Sequence, residues 1–333
     1  MSIDVHAHCV PMGVIDSLVA DGGRYGIEVT RQDGRYAVVI AGRVRTRPIL
    51  PGLLDLPRRF AAMDATRVDV QVLSSWIDLT AYALDGDAGT RYARMFNEAL
   101  AATVATSPER LRALATVPLQ APEAAAAELR HAVSFLGLAG VEIATTVDGL
   151  ELDDAGLEPF WRMAEEIRCL VLVHPYASLA GRGVTRHNLA NLVGNPAETT
   201  IALGHLIFGR VLERHPGLRF CLVHGGGFAP YQIGRWDHAA RDDAGGPAAN
   251  LGRLPSEWLR NLYFDTVLHS PASLRFLLDV VGADHVVLGS DYPFRMGDAE
   301  PVATVEAVAG LDAVERAQVL SGNLGALLEG VQR

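Results

Sequence analysis

Short apolar runs rich in β-branched residues recur along the chain, and longer amphipathic segments rich in alanine, leucine, glutamate and arginine lie between them. Runs of about four to eight apolar residues are typical of buried strands, whereas apolar residues repeated three or four positions apart are typical of helices. Helices are predicted at residues 89–106, 121–135, 159–167, 199–215 and 271–280. Eight strands are predicted, at residues 3–8, 68–74, 111–119, 140–144, 169–174, 219–224, 262–266 and 286–291.

This alternation predicts an α/β fold of the (β/α)8 TIM barrel class. Strands that alternate with helices form parallel sheets, and eight such units are enough to close the sheet into a barrel. Residues 25–44 interrupt the rhythm, because apolar and polar side chains alternate there around the Asp33-Gly34 and Ala41-Gly42 pairs. That pattern predicts an antiparallel hairpin. We therefore expect one barrel domain over residues 1–333, with a small hairpin inserted after the first strand at about residues 25–47.

The amino-acid composition limits the kinds of molecule that this chain is expected to bind. The chain carries a formal net charge of -10, so it lacks the basic field that attracts nucleic acid or an anionic membrane surface. Its first residues lack the basic segment and apolar run that are typical of a secretory signal, and no apolar stretch approaches the roughly 20 residues of a membrane span. Its three cysteines are odd in number and widely spaced, which indicates buried thiols rather than disulfides. We expect a cytoplasmic protein that binds neither nucleic acid nor membrane.

The absence of lysine excludes several kinds of catalysis. All 29 basic residues are arginine, so the chain has no amine for a Schiff base, for anchoring pyridoxal phosphate or for a Walker phosphate-binding loop. It also has no lysine that could become a carbamate and bridge two metal ions. Any metal site in this chain is therefore expected to hold a single ion.

Polar side chains stand at the ends of several predicted strands. His6 and His8 are two residues apart, so their side chains leave the same face of the first strand. His174, His224 and Asp291 each end a later apolar run. Because the carboxyl ends of barrel strands meet at one mouth, all five residues are expected to converge there. Three neutral imidazoles and a carboxylate around a divalent cation leave a charge of about +1, and zinc suits such a nitrogen-rich set.

The motifs around these residues resemble those of a known family. His6-Ala7-His8, Val173-His174-Pro175, Val223-His224-Gly225-Gly226-Gly227 and Gly289-Ser290-Asp291-Tyr292-Pro293-Phe294 are similar to motifs of the amidohydrolase superfamily. Within that superfamily the chain resembles the non-oxidative decarboxylases, and among them the 2-amino-3-carboxymuconate-6-semialdehyde decarboxylase group. The resemblance extends over essentially the whole chain.

The resemblance implies a role for each site residue. His224 stays near the metal as the acid/base rather than as a permanent ligand, and Asp291 is counted with it as catalytic. Arg47 and Arg235 bind substrate carboxylates, Phe294 contacts the substrate, and Arg235 reaches into the neighbouring subunit of a homodimer. The implied ligands of one zinc ion are His6, His8, His174 and Asp291.

The function implied by the resemblance is metal-dependent, non-oxidative decarboxylation of an unsaturated or aromatic carboxylic acid, a small-molecule substrate. Two alternatives remain open from the sequence. The same metal site could serve a hydrolase or hydratase that acts on a lactone, amide or unsaturated acid, or the barrel could be an inactive binding protein. Retention of all five polar strand-end residues argues against an inactive barrel.

One region departs from the family pattern and bears on the identity of the substrate. Asn191 stands where the related decarboxylases have tryptophan, and the loop at residues 176–187 also differs. Arg182, Arg186 and His187 lie in this loop and could recognise a different acid.

Overall fold

The computed structural model describes residues 1–176, 183–242 and 251–331. Eight parallel strands form the centre of the fold, and we number them β1 to β8 in chain order. They are β1 (Ile3–Cys9), β2 (Val70–Ser75), β3 (Leu111–Ala113), β4 (Gly140–Ala144), β5 (Leu170–His174), β6 (Arg219–Leu222), β7 (Tyr263–Asp265) and β8 (Val286–Val287).

The strands close into a ring. One run of hydrogen-bonded strands has the order β1-β2-β3, and a second has the order β8-β7-β6-β5-β4. A parallel bridge from Ala115 to Val141 joins β3 to β4, and a second bridge from Ala7 to Tyr292 joins β1 to the chain after β8. Val5 N–H also donates to Leu288 O at 2.9 Å. The predicted (β/α)8 barrel is therefore confirmed.

Several strands are shorter than predicted, and backbone conformation explains the difference at two of them. The sixth and eighth strands were predicted to run to His224 and Asp291, but they end at Leu222 and Val287. His224 and Asp291 have φ angles of 55° and 57°. A residue in this left-handed region cannot continue a strand, so both side chains leave the barrel from sharp turns.

Helices surround the barrel, and six of those in the described part of the chain overlap the five predicted segments. The segment predicted at 199–215 is two helices, because Arg210 adopts φ 60° and interrupts the first. The α-helices are Met12–Asp21, Pro51–Leu54, Leu56–Ala65, Gly86–Ala105, Pro122–Ser134, Glu158–Ile167, Asn195–Phe208, Val211–Arg214, Ala229–Asp242, Pro255–Leu259, Pro271–Val281, Pro301–Glu306, Ala313–Ala317 and Asn323–Glu329. Short π-helical turns at Ala190–Gly194 and Gln318–Gly322 lead into two of them.

Apolar side chains fill the barrel and the layer between its wall and the helices. The inner cluster includes Ile3, Val5 and Leu172, and Leu324 of the last helix packs against it. A larger cluster lies between the strands and the surrounding helices and includes Cys9. All three cysteines are buried and unpaired. Between these two layers, every barrel strand is covered on both faces.

The segment after β1 contains a small antiparallel sheet. Strands Ile27–Gln32 and Arg35–Ile40 pair in register, and Val44–Arg45 extends the sheet by one short strand. Asp33 and Gly34 both have positive φ, 51° and 75°, as the tight turn that matches strand twist requires. Arg47, two residues after this sheet, lies at the mouth of the barrel.

No helix in the part of the chain that the structure describes is both long and apolar enough to span a bilayer.

Candidate metal centre

Four side chains with metal-binding atoms meet at the carboxyl end of the barrel. His6 and His8 lie on β1, His174 is the last residue of β5, and Asp291 follows β8. All four are buried, and one donor atom from each lies within 4.8 Å of the donor atoms of the others. The site therefore combines residues from the first strand, from the fifth strand and from the segment after the last strand.

The hydrogen bonds behind the three imidazoles determine their tautomers. Nδ1 of His6 lies 2.7 Å from Asp265 Oδ2, Nδ1 of His8 lies 2.8 Å from the carbonyl oxygen of Ser75, and Nδ1 of His174 lies 2.8 Å from that of Pro175. Carbonyl and carboxylate oxygens only accept hydrogen bonds, so each Nδ1 carries the proton. Nε2 of each ring is then left with a lone pair, as a metal ligand must be.

These lone pairs face one another. Nε2 of His6 lies 3.2 Å from Nε2 of His8, with no proton between them. Asp291 Oδ1 lies 3.4 Å and 3.3 Å from the same two atoms, yet it is buried without a hydrogen bond. Two ligand atoms each about 2.0–2.1 Å from a tetrahedral ion are separated by about 3.3–3.4 Å. The spacing and the unpaired lone pairs both fit one divalent ion.

Burial and neighbouring charge set the ionisation of the ligands. Burial, followed by the proximity of the other histidines, holds the pKa of His174 well below its ordinary value. Burial alone would raise the pKa of Asp291, but the adjacent His6, His224 and His8 outweigh it and hold that pKa well below its usual range. His174 is therefore neutral and Asp291 ionised at neutral pH, which are the forms that bind metal.

His224 lies beside this group but is not one of the four residues whose donor atoms converge. Its Nε2 is 3.9 Å from Asp291 Oδ2, and its Nδ1 is buried with no hydrogen-bond partner among the described residues. Burial would lower the pKa of His224, but Asp291 and then Asp265 outweigh it and raise that pKa. A raised pKa favours the protonated form of this imidazole, and histidine is the commonest side chain in acid/base catalysis.

A run of glycines after His224 lets the loop approach its neighbours closely. Gly227 has φ +66°, and a Cβ there would lie 2.1 Å from the carbonyl oxygen of Pro196. Only glycine fits this position. The close approach joins the His224 loop to the helix Asn195–Phe208, whose first residue lines the cavity described next.

The metal-binding atoms open into a cavity of about 770 Å³. Phe294 forms part of its wall, with its ring centre 5.3 Å from that of His8 and 6.2 Å from that of Trp76. Arg47 lies at the mouth, 5.6 Å from the Trp76 ring and 3.6 Å from Asp78 Oδ2. The lining residues include Arg47, Leu50, Trp76, Ile77, Asp78, His174, Tyr176, Asn188, Asn191, Asn195, His224, Asp291, Phe294, Arg295 and Met296.

Not every candidate residue reaches this cavity. Arg235 is exposed on the outside of the helix Ala229–Asp242 and does not line the cavity of its own chain. Arg186 and His187 are also exposed and outside the cavity lining, whereas Asn191 is part of it. Arg182 lies outside the described residues.

Two buried carboxylates complete the centre, and sequence patterns assigned no role to either. Asp265 is fully buried at the end of β7, where it accepts from His6 and also from Gly225 N–H at 2.9 Å. Glu142 on β4 lies 3.6 Å from Nδ1 of His8, and burial raises its pKa to about 7. The feature of the sequence that could have pointed to Asp265 was its position at the end of a predicted strand. Glu142 lies inside a predicted strand, where periodicity alone cannot reveal a function.

Comparisons with known proteins agree with this geometry. A family model described as amidohydrolase matches residues 3–328. A 2-amino-3-carboxymuconate-6-semialdehyde decarboxylase from Dictyostelium discoideum is 30% identical over 97% of this chain and 90% of its own length. Among solved structures, a 5-carboxyvanillate decarboxylase from Sphingomonas paucimobilis is 26% identical, with a TM-score of 0.84 and 98% of each chain covered. A dihydroxybenzoic acid decarboxylase from a Polaromonas species, solved with bound manganese, has the same fold at 23% identity, with a TM-score of 0.79 over 98% of this chain and 96% of its own.

We predict that the purified protein holds about one divalent ion per chain and that replacing His174 with alanine abolishes this binding. His174→Ala removes a neutral donor of the four-residue set, whereas His224→Ala removes a side chain outside that set and should leave most of the metal bound. Elemental analysis after dialysis measures both. Two tightly held ions per chain, or equal metal loss in the two variants, would contradict the assignment.

Asp265→Asn should weaken metal binding by about 10- to 100-fold, the usual effect of removing the partner of a metal-binding histidine. The two oxygens of Asp265 accept from His6 Nδ1–H and from Gly225 N–H. Asparagine has only one side-chain oxygen, and the NH2 group that replaces the other oxygen is a donor. A matched control is Asp153→Asn, because Asp153 accepts from His205 Nδ1 at 2.9 Å in another part of the chain. Competition with a chelator measures both affinities, and equal losses would exclude a specific role for Asp265.

Proposed function

The chain belongs to the amidohydrolase family, and from that premise we propose that it is a metal-dependent, non-oxidative decarboxylase of an aromatic or unsaturated carboxylic acid. The observation that carries the proposal is the convergence of three imidazole lone pairs and Asp291 Oδ1 at the floor of a cavity whose mouth holds arginine. The similarity to named decarboxylases over nearly the whole chain supports the same reaction class.

We propose zinc as the ion held by His6, His8, His174 and Asp291. Three nitrogen donors and one oxygen donor suit zinc, and the separations among the donor atoms of His6, His8 and Asp291 are those of a small tetrahedral site. Manganese in the Polaromonas enzyme makes that ion the natural comparison in any reconstitution. When bound, a divalent ion supplies Lewis-acid stabilisation of negative charge on substrate oxygens.

The cavity provides the groups that a substituted aromatic acid needs. Trp76 and Phe294 offer flat apolar surface, against which an unsaturated or aromatic ring can stack. Arg47 supplies a two-pronged donor for a carboxylate, and it is already oriented by Asp78. Arg295 lines the same cavity and adds a second guanidinium from the substrate's own subunit.

His224 moves the proton in this scheme. It donates a proton from its imidazolium to the ring carbon that bears the carboxylate, and the substrate's π electrons form the new C–H bond. The bond from that carbon to the carboxylate then breaks, its electron pair returns to the π system, and carbon dioxide leaves. His224 afterwards regains a proton from solvent. The net change replaces a carboxylate with hydrogen and needs no oxidant.

We also propose that the enzyme is a cytoplasmic homodimer in which Arg235 completes the neighbouring subunit's site. Arg235 lies outside its own cavity, as such a role requires. Tyr231, one helical turn earlier, is 74% exposed and its ring packs on that of the exposed Phe276. Exposed aromatic groups beside arginine are typical of protein interfaces. Three unpaired cysteines suit a reducing compartment.

Incubation of the metal-loaded enzyme in deuterium oxide with amino- or hydroxy-substituted benzoic and muconic acids should release carbon dioxide from at least one acid. The product should carry deuterium at the carbon that lost its carboxylate, because the proton delivered by His224 comes from solvent. His224→Ala should retain metal and lose turnover by at least about 100-fold. Hydrolysis of lactones or amides without release of carbon dioxide would assign the site to a hydrolase instead.

Mixing subunits tests the role of Arg235. Arg235→Ala and His224→Ala chains should each be nearly inactive alone. Verified heterodimers should recover up to about half of the wild-type activity, because one of their two sites then receives His224 from one chain and Arg235 from the other. If Arg235 serves its own subunit, every site in the mixture lacks one group and no activity returns.

A further inference from the structure

Asp4 is a buried carboxylate that lies two residues before His6 and outside the cavity lining. Its side chain accepts four hydrogen bonds. Oδ1 accepts from the backbone N–H groups of His6 and Ser290, each at 3.0 Å. Oδ2 accepts from the Ser290 hydroxyl at 2.5 Å and from Gln71 Nε2 at 3.0 Å. A fully buried anion with this many donors is an organising centre for the groups around it.

The hydrogen bond from His6 N–H to Asp4 Oδ1 lies at a break in the regular strand pairing of β1. Asp4 pairs with Gln71 and Ala7 pairs with Leu73, so three steps along β1 match two steps along β2. This is a β-bulge, which redirects the side chains that follow it. Val5 belongs to the cluster inside the barrel, so regular alternation would turn His6 outward. The bulge instead turns His6 inward, and Asp4 accepts from the N–H of that residue.

The two hydrogen bonds from Ser290 connect Asp4 to a segment near the other end of the chain. Ser290 directly precedes Asp291, and both its backbone N–H and its hydroxyl donate to Asp4. The Ser290 hydroxyl oxygen in turn accepts from Tyr292 N–H at 3.2 Å. Asp4 therefore connects the segment that carries His6 to the segment that carries Asp291, across the seam where the barrel closes.

Arg59 supports the same arrangement from the helix Leu56–Ala65. It is only 1% exposed, and its Nη1 donates to Gln71 Oε1 at 2.9 Å. Its Nη2 donates to the carbonyl oxygen of His8, and its guanidinium stacks 4.8 Å from the Tyr292 ring centre. Gln71 therefore links the guanidinium of Arg59 to the carboxylate of Asp4 through two hydrogen bonds.

We infer that Asp4 is a positioning residue that sets the spacing of His6 and Asp291 for a divalent ion, with Gln71 and Arg59 holding Asp4 in place. The inference rests on the metal site of the proposed function. None of these four hydrogen bonds is made to the cavity, so Asp4 acts on the ion through the backbone of His6 and through Ser290, the residue before Asp291.

The chain offers a matched control for the Asp4–Ser290 pair. Asp237, on the helix Ala229–Asp242, accepts from the backbone N–H of Ser256 at 2.9 Å and from its hydroxyl at 2.7 Å. It is nearly buried, with 8% exposure. The two pairs therefore share the same chemistry, but the Asp237–Ser256 pair does not hold a metal ligand.

The experiment compares Asp4→Asn and Ser290→Ala with Asp237→Asn and Ser256→Ala, all in the full-length chain. Zinc and manganese affinities are measured by chelator competition, and apo-protein unfolding is followed by circular dichroism. We expect the first two variants to bind either ion about 10- to 100-fold more weakly than wild type, as loss of a ligand-orienting contact does. The controls should stay within about threefold of wild type even where their melting temperatures fall.

Each other outcome has a defined meaning. Wild-type affinity in Asp4→Asn and Ser290→Ala, or equal losses in all four variants, would overturn the positioning role. If Asp4→Asn does not fold, Ser290→Ala decides, since it removes one hydroxyl and leaves the backbone bond. Loss of affinity in an enzyme that releases no carbon dioxide would leave the inference standing and reject the proposed reaction. A wild-type chain that binds neither ion would reject both.

Discussion

The structure depends on one electrostatic constraint: three imidazole lone pairs and a carboxylate oxygen face one another in a buried space. Each histidine donates from its Nδ1 to an oxygen acceptor, so in the neutral rings the Nε2 lone pairs of His6 and His8 face each other at 3.2 Å. A divalent cation relieves their repulsion, and the observed separations suit a small tetrahedral ion. The surrounding hydrogen bonds serve to keep these lone pairs aimed at one point.

Closure of the barrel is what brings the ligands together. His6 and Asp291 are 285 residues apart in sequence, yet Asp291 N–H donates to the carbonyl oxygen of His6 at 2.8 Å. A wall of parallel strands holds this seam, and the backbone is irregular where the site residues emerge from it. The bulge in β1 and the left-handed conformations of His224 and Asp291 are local strains that the packed barrel can sustain.

Charge is divided between the floor and the mouth of the cavity. The floor carries the ligand set, which with a divalent ion has a net charge of about +1, and the mouth carries Arg47 and Arg295. With no lysine in the chain, every fixed positive side-chain charge is a planar guanidinium that suits a carboxylate. This distribution suits an acid whose departing carboxylate lies near the ion and whose remaining polar groups face the arginines.

The sequence by itself determined the class of fold and the residues that cluster. Eight apolar runs separated by amphipathic segments specify parallel strands, and a polar residue ending such a run has to lie at the barrel mouth, so periodicity was enough to bring His6, His8, His174, His224 and Asp291 together. The absence of lysine could also be established from the sequence, because it depends on composition alone.

Only the tertiary structure decided how those residues are oriented. The period of two predicted that His6 and His8 share a face, but not that Val5 also faces inward, because the bulge is visible only in the pairing with β2. Likewise, Asp265 determines the tautomer of His6 from 259 residues away, and the structure places Arg235 outside the cavity of its own chain. Local patterns report which side of an element a residue occupies, whereas hydrogen-bond partners and strand register arise from contacts between segments far apart in the chain.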